Sequence, residues 1–356
     1  QHYFLFLIYI LNNKTIKMTK FDWNDIAIIP DTLSDISSRS EIDIFLKNGN
    51  LPIFTAPMDM VIDEDNIKYF TENKINVCLP RNIKYDITKS IEHFYSYGLD
   101  EIIDIFENNK PLPRKVLIDI ANGHLTKLYN ISKKIKEKFG DNIELMVGNI
   151  ANPDTYRKYC EIGVDYIRVN IGSGSACTTA ANVGIFYPSA SLVSECYEIS
   201  KEFDNPTKII VDGGFRNTSE IIKALALGGF SVMLGGIFNK CLESCSDSYI
   251  LFDGKYSLIS KEDSLRMFNS GETIYKYYRG MSTKEVQKVW ERKELKTGEG
   301  ISKYNKVEYT LSGWRENFTD YLRSAMSYSN SRSLEEFIGE AQWVKISQNA
   351  FNRFNK

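Results

Sequence analysis

Seven short apolar runs recur along the chain, separated by amphipathic segments of helical periodicity. The runs are "LPIFTAP" (51–57), "INVCLP" (75–80), "KVLIDIA" (115–121), "IELMVGNI" (143–150), "DYIRVNI" (165–171), "KIIVDGG" (208–214) and "FSVMLGG" (230–236). Their apolar positions are continuous, not alternating, which indicates strands buried on both faces of a parallel sheet. A weaker candidate, "HFYSYGL" (93–99), brings the predicted strands to eight.

Eight parallel strands with helices between them favour an α/β fold of the (β/α)8 TIM-barrel class over an open doubly wound sheet. Polar segments follow the predicted strands at "MDM" (58–60), "NGH" (122–124), "GNIANPD" (148–154), "GSGSACTT" (172–179), "DGGFRNTSE" (212–220) and "GGIFNK" (235–240). Ordinary turns would explain one or two such loops. Because barrel enzymes place their chemistry in the loops after the strands, the whole set predicts an active site at that face.

The alternation of strands and helices breaks from about residue 253 to 311, where the chain is polar, charged and interrupted by glycine. A segment of this length predicts a long mobile lid, inserted after the last strands and lying over the mouth of the barrel. Helical periodicity then returns, so residues 18–356 are predicted to form a single catalytic domain.

The first apolar run, "QHYFLFLIYIL", is too short to span a bilayer and lacks a basic front and a cleavage site. Residues 1–17 are therefore expected to be a leader or a non-native extension, disordered and outside the fold. The alternative interpretation is a genuine membrane anchor.

Charge and composition narrow the classes of partner and chemistry. The 44 Lys+Arg nearly balance the 46 Asp+Glu, so neither nucleic acid nor an anionic membrane is an expected partner, and any anion site must be built locally. The six cysteines show no framework spacing, which predicts reduced thiols in the cytoplasm. Three histidines argue against a His-based metal site or triad, so carboxylates, Thr or Cys must carry proton transfer.

Cys177 follows a run of Gly and Ser directly after an apolar strand. A tight loop of that composition exposes backbone amides, whose dipoles stabilise a thiolate, so Cys177 is a candidate nucleophile. The alternative is a buried structural thiol. Thr178 and Thr179 come next, and their hydroxyls either relay protons to a substrate amine or cap the backbone.

Three Gly-rich loops close strands that are expected to meet at one face: Gly172–Ser175, Asp212–Gly214 and Leu234–Gly236. Barrels commonly bind a phosphate at the last two strands, and Asp212 is suited to bridging vicinal ribose hydroxyls. Their convergence favours a nucleoside monophosphate as ligand. Glu299 lies in the predicted lid, where it is either a solvated carboxylate or, on closure, a general acid or base in a dry site.

Other polar residues have two open interpretations. Asp119 ends a strand and is a candidate to orient a ligand, whereas His124 is as readily a satisfied loop residue. Arg39, Arg81 and Lys296 are candidates to meet phosphates, with a plain surface charge as the alternative in each case.

The motifs "SSRSEID", "TAPMDMV", "DIANGH", "VGNI", "IGSGSACTT", "GIFYPSASLVSEC", "VDGGFRNTSEIIKALALGG", "VMLGG" and "YRGMS" occur in this order from about Phe21 onward. This combination resembles the IMP dehydrogenase/GMP reductase family. Within the family, the Asn of "DIANGH", the Ser after Met in "RGMST" and the short "ELKTGEG" lid are similar to the reductase branch. The paired Arg-Tyr with which the dehydrogenases activate water is not found, and no CBS insertion is visible.

The resemblance implies an NADPH-dependent reductive deamination of GMP to IMP and ammonia through a covalent adduct on Cys177. Thr179 and Glu299 would protonate the departing amine. Implied substrate contacts are Ser175, Asp212, Gly213, Gly214, Gly235, Gly236, Gly280, Met281, Ser282, Lys296 and Gly300. Implied dinucleotide contacts are Ser38, Arg39, Arg81, Asp119, Ile120, Ala121, Ile171 and Gly172. The implied ligands of a monovalent cation, K+, are the backbone carbonyls of Gly172, Gly174 and Cys177. The implied assembly is a homotetramer.

The chain departs from the family pattern at several of these loops. Asn170 and Ser173 stand where the family usually has Gly and Pro, Ala180 stands where the reductase has Arg, and Leu295 and Lys296 replace the Tyr and Arg of its lid. Two alternative functions are therefore kept: an IMP dehydrogenase that oxidises IMP to XMP with NAD, and a nucleotide-binding protein without turnover.

Overall fold

The computed structural model describes residues 19–81, 86–88, 91–289 and 297–354. The predictions for residues 1–17 and for Lys296 lie outside the described residues. The described chain enters through a 3₁₀ turn, Trp23–Asp25, and strand β1 (Ile26–Ile28), which pairs antiparallel with the near-terminal strand β14 (Trp343–Lys345). A second 3₁₀ turn, Arg39–Glu41, follows on the surface.

Eight parallel strands form the central sheet, in the order β2-β9-β8-β7-β6-β5-β4-β3. They are β2 (Ile53–Thr55), β3 (Cys78–Leu79), β4 (Phe94–Tyr97), β5 (Lys115–Asp119), β6 (Glu144–Ile150), β7 (Tyr166–Val169), β8 (Lys208–Asp212) and β9 (Ser231–Leu234). All seven predicted strands and the weaker eighth are therefore confirmed.

The two ends of this sheet meet and close it into a barrel. The Thr55 N–H donates to Asn76 O at 2.9 Å, and the Asn76 N–H donates to Ile53 O at 3.0 Å. The predicted (β/α)8 TIM-barrel fold is confirmed.

Helices and short helical turns follow the strands, and the longer helices cover the outside of the barrel. They are α1 (Ile67–Glu72), α2 (Leu99–Glu107), α3 (Thr126–Phe139), the 3₁₀ turn Gly140–Asn142, α4 (Pro153–Glu161), α5 (Thr179–Val183), α6 (Ser189–Ser200), α7 (Thr218–Ala226) and α8 (Gly236–Asn239). Local sequence explains the start of α4: the Asn152 side chain accepts from the Asp154 N–H at 2.8 Å, and Pro153 occupies the first turn, where its missing N–H is not needed.

The strands are apolar at successive positions because both of their faces are buried. Ile210 and Val211 of β8 are each 0% exposed, although their side chains point to opposite faces of the strand. One face fills the barrel interior and the other packs against the helices, as a barrel of this class requires.

The predicted lid contains a sheet of its own that sequence analysis did not anticipate. Its strands are β10 (Ser248–Phe252), β11 (Lys255–Ile259), β12 (Tyr275–Arg279) and β13 (Ser302–Lys306), all antiparallel, with helices α9 (Lys261–Asn269) and α10 (Lys284–Val289) between them. The insertion thus begins at Ser248, earlier than the predicted residue 253. The chain then continues into α11 (Leu311–Tyr328), α12 (Leu334–Phe337) and α13 (Gln348–Phe354).

Buried polar contacts attach this lid sheet to the barrel. Lys276 of β12 is 4% exposed, and its Nζ donates to Ser244 O at 3.0 Å and to Ser246 O at 2.8 Å. Burial lowers the pKa of Lys276 to about 8. Arg279, at the end of the same strand, pairs with Asp59 at 2.7 Å. The base of the insertion is therefore fixed on the barrel, while its predicted closing movement stays a prediction.

Candidate active site

The segments at the carboxyl ends of the barrel strands enclose a cavity of about 500 Å³. Its walls come from the ends of β2, β5, β6, β7, β8 and β9, together with residues 278–282, 297 and 299 of the insertion. Five of the six predicted polar loops thus contribute to one space, whereas residues 122–124 are not part of its lining. The cavity is roofed by the lid sheet and the loops that flank it.

Cys177, Thr179 and Glu299 form a chain of contacts in the wall of this cavity. The Cys177 Sγ donates to Thr179 Oγ1 at 3.3 Å, and Thr179 Oγ1 donates to Glu299 Oε2 at 2.5 Å. Each donor faces an acceptor, so a proton can pass from the thiol through the hydroxyl to the carboxylate. Sequence analysis left open whether Thr179 relays protons or caps the backbone, and this contact favours the relay.

Cys177 differs from the other cysteines in its surroundings. It is partly exposed to the cavity, and all six cysteines are free thiols. Burial raises the pKa of the thiols of Cys78, Cys196, Cys241 and Cys245, which keeps them protonated. The structure therefore places Cys177 where a ligand can reach it, which favours a reactive over a structural thiol.

Two backbone hydrogen bonds join the cysteine loop to the insertion. The Thr178 N–H donates to Glu299 O at 2.8 Å, and the Ile301 N–H donates to Ala176 O at 3.0 Å. This backbone pairing brings the Glu299 carboxylate to Thr179. Because the two residues are far apart in sequence, only the tertiary structure can bring them together. The segment is closed over the thiol in this structure.

The Gly280 loop packs against the same pairing. A side chain at Gly280 would place its Cβ 2.6 Å from Ala176 O, so only glycine fits there. Gly280, Met281 and Ser282 line the cavity beside Cys177. Gly300 lies behind the cysteine, to which it is paired in an antiparallel bridge.

The wall next to the cysteine loop contains the Gly-rich loops that are predicted to bind a phosphate. Ser175, Gly213, Gly214, Gly235 and Gly236 all line it. Close packing explains why two of these positions are occupied by glycine. A Cβ at Gly214, whose φ is +84°, would come 2.9 Å from Ser173 Cβ, and one at Gly236 would come 3.1 Å from Ser175 Oγ.

Two residues of the lid sheet were missed by sequence analysis: Tyr278 lines the cavity, and Lys303 contacts the Ser175 loop. The Tyr278 hydroxyl would lie 3.1 Å from a Cβ at Gly235, and burial raises the pKa of Tyr278 to about 12, so it remains a donor at neutral pH. Lys303 Nζ donates to Ser175 O at 3.4 Å. Only the fold of the lid sheet brings these residues to the Gly-rich loops. The sequence gives a signal for Tyr278 alone, which stands directly before the Arg-Gly-Met-Ser motif.

A buried cation lies under the cavity, and sequence analysis missed it as well. The side chain of Arg168 in β7 is 8% exposed, and its guanidinium pairs with Asp119 at 2.5 Å and with Asp212 at 2.7 Å. Asn149 Nδ2 also donates to Asp212 Oδ2, at 2.6 Å. The available signal was an arginine inside the apolar run "DYIRVNI". These contacts fix the orientation of both carboxylates. Asp119 also has Arg81 Nε at 3.9 Å, so removing the Arg168 guanidinium would leave the buried charge of Asp212 without a cationic partner.

The predicted dinucleotide residues separate into two groups. Arg81, Asp119, Ile120, Ala121, Ile171 and Gly172 line the cavity on the side of β5 and β7. Ser38 and Arg39 lie elsewhere: Ser38 caps the 3₁₀ turn Arg39–Glu41 on the surface, and neither belongs to the described lining of the cavity. The structure of one chain does not bring these two residues to the site.

Two further predictions have plain structural outcomes. Both ring nitrogens of His124 are engaged, with Thr155 Oγ1 at 2.9 Å and with the Ala151 N–H at 3.0 Å, so it is a satisfied loop residue. The Gly174 carbonyl accepts from the Cys177 N–H at 2.9 Å, and the cation site at Gly172, Gly174 and Cys177 stays a prediction. No group of three or more His, Cys, Asp or Glu in the described ranges is arranged to hold a metal ion.

The chain is similar in sequence to proteins of known family. Residues 114–354 match the family model described as "IMP dehydrogenase / GMP reductase domain". The chain is 29% identical over 351 residues to a GMP reductase of Lactobacillus gasseri, covering 94% of this chain and 97% of that protein. It is 28% identical over 351 residues to a GMP reductase of Staphylococcus aureus, covering 94% and 99%.

A further relative carries the name of the other branch. The chain is 34% identical over 241 residues to an inosine-5'-monophosphate dehydrogenase of Cryptosporidium parvum, covering 65% of this chain and 54% of that protein. The match thus spans about half the length of this relative. Within the described residues, no helix has the length and apolar character that crossing a membrane requires.

Proposed function

The chain belongs to the IMP dehydrogenase/GMP reductase family, an enzyme family, and we propose that it catalyses the NADPH-dependent reductive deamination of GMP to IMP and ammonia. The observation that supports this proposal most directly is the chain of hydrogen bonds from Cys177 Sγ through Thr179 Oγ1 to Glu299 Oε2. The full-length similarity to two proteins named GMP reductase supports the same branch.

The contact chain suits a reaction in which an amine leaves. The Cys177 thiol gives its proton through Thr179 to Glu299 and the sulfur bonds to C2 of the purine. The same proton returns through Thr179 to the amine on C2, so that the C2–N bond breaks and ammonia departs. The thiol proton and the amine together make up the ammonia, and no histidine is required.

The described residues also fit a nicotinamide dinucleotide beside the purine. Ile120, Ala121 and Ile171 form an apolar edge of the same cavity, next to the segment that carries Cys177, where a flat ring can lie against hydrocarbon. When bound there, NADPH would supply the hydride that replaces sulfur at C2. The chain's own contribution is to hold the reacting groups together and, with residues 297–301 closed over Cys177, to exclude water.

The second candidate function is the oxidation of IMP to XMP with NAD, and the similarity to the C. parvum dehydrogenase favours it. A direct assay separates the two reactions. With GMP and NADPH, the reductase proposal expects NADPH absorbance to fall and ammonia to appear in equal amount. If the protein instead reduced NAD in the presence of IMP and released no ammonia from GMP, the reductase proposal would be wrong.

The phosphate of the nucleotide is proposed to lie between Ser175, the two glycine pairs and Tyr278. Residues 172–175, 213–215 and 235–237 contain neither Lys nor Arg, so these loops supply no positive charge. Lys303 Nζ, which lies 3.4 Å from Ser175 O, supplies it from the lid sheet. Burial and the nearby charge of Lys240 lower the pKa of Lys303, and a bound phosphate would raise it.

Lys303→Met is expected to raise the Kd for GMP about tenfold and to leave that for guanosine within about twofold, because one charge-assisted hydrogen bond to phosphate is lost. Isothermal titration calorimetry with both ligands checks this. Lys306→Met is the matched control, since Lys306 lies on the same strand, is exposed and is separated from Lys303 by an odd number of positions. Equal weakening of GMP and guanosine would contradict a phosphate contact.

A further inference from the structure

Asn170 lies at the floor of the cavity in a backbone conformation that favours glycine. Its φ is +104°, which a residue with a Cβ rarely adopts. Backbone contacts hold it there: its N–H donates to Ile150 O at 2.9 Å, and its carbonyl accepts from Asn149 Nδ2 at 2.9 Å. Strain of this kind persists only where the surroundings impose it, and it concentrates at ligand-binding sites.

The side chain of Asn170 is incompletely paired as well as strained. The residue is 3% exposed, and its Nδ2 donates to Asp212 O at 3.5 Å. Its Oδ1 is buried without a hydrogen-bond partner among the described atoms. An unpartnered buried amide oxygen costs free energy, and nearly all such atoms in proteins have a partner. Since Asn170 lines the cavity, a rotation about its χ2 angle would turn Oδ1 toward a bound ligand, which can provide that partner.

We propose that Asn170 Oδ1 accepts a hydrogen bond from an N–H or O–H group of a nucleotide bound in this cavity. The proposal rests on the proposed function, to which it adds a binding residue. The chemistry of the partner follows from that of the acceptor: an amide oxygen repels an anionic phosphate oxygen, as do the neighbouring carboxylates of Asp119 and Asp212. Ribose hydroxyls, purine N–H groups and a carboxamide NH₂ remain, so the source is either the purine nucleotide or the dinucleotide.

Two substitutions at this position separate the contact from the strain. Asn170→Gly removes the amide and relieves the backbone, so the Tm of the unliganded protein is expected to rise. Asn170→Ala removes the amide but keeps the Cβ, so the Tm is not expected to rise. In both variants the Kd of the ligand that donates to Oδ1 is expected to increase about tenfold, which corresponds to one hydrogen bond.

The measurements are calorimetric titrations of the full chain with GMP alone and with NADP+ alone, and thermal unfolding without ligand. Whichever ligand loses affinity in both variants is the donor. Lys74→Gly is the matched control, because Lys74 also has a positive φ, of 60°, but is exposed and outside the cavity lining; it should change neither affinity.

The outcomes distinguish this proposal from the proposed function. Unchanged affinity for both ligands in the two variants would overturn the role of Asn170 and leave the function intact. A lower Tm in Asn170→Gly would also overturn it, because lost packing would then explain any loss of affinity. Binding of either ligand without any turnover by the unmodified protein would overturn only the proposed function, and binding of neither would overturn both.

Discussion

Replacing Cys177 with alanine is expected to lower kcat by about 10⁴-fold or more and to leave GMP affinity nearly unchanged. In the proposed mechanism the sulfur forms the covalent bond to the purine, whereas the loops and Tyr278 would hold the ribose and phosphate. Steady-state assays with GMP and NADPH measure the first effect and calorimetric titration with GMP measures the second. Mass spectrometry of the unmodified protein quenched with GMP should show an added nucleotide, and the alanine variant should not.

Cys245→Ala provides the matched control for this prediction. Cys245 is also incompletely buried, but its Sγ contacts Asp59 O at 3.2 Å and burial raises its pKa, so its thiol is not a nucleophile at neutral pH. We expect this variant to keep its turnover and its adduct. Retained turnover in Cys177→Ala would contradict covalent catalysis by this residue.

Glu299→Gln is expected to slow ammonia release by about 10²- to 10⁴-fold, the usual contribution of a positioned general acid or base. A glutamine cannot store the proton that passes between Cys177 and the departing amine through Thr179. The hydride step should be affected much less. It can be followed separately by mixing NADPH with the covalent adduct formed beforehand on GMP, because in that adduct the thiol has already lost its proton and the ammonia has already left.

Two variants sharpen this second prediction. Thr179→Val should cause a similar loss, and the double variant should be little worse than either single one, since both residues serve one proton path. Glu308→Gln is the control: its carboxylate pairs with Lys240 on the surface and should not affect turnover. Equal slowing of ammonia release and of hydride transfer to the preformed adduct in Glu299→Gln would argue against the assigned role.

The barrel was predictable because its signal is local. Burial of both faces makes each strand a continuous apolar run, and the eight runs alternate with helical periodicity, which together favour a closed parallel sheet. The lid sheet was not predictable in this way. Its strands consist largely of Tyr, Lys and Ser, and its packing comes from rings such as Tyr256 and Tyr304, which stack with centroids 3.7 Å apart. Such residues give a polar, loop-like pattern in sequence.

The sequence by itself determined the barrel, the face on which the polar loops gather and the candidate residues Cys177, Thr179, Asp212 and Glu299, because these follow from local composition and motif order. Tertiary structure decided which of them meet. It brought Glu299 to Thr179 across 120 positions, placed Arg168 between two carboxylates, brought Lys303 to Ser175 and left Ser38 and Arg39 outside the cavity. The physical reason is that contacts between segments far apart in sequence depend on how separate elements pack. No local pattern along the chain encodes this packing.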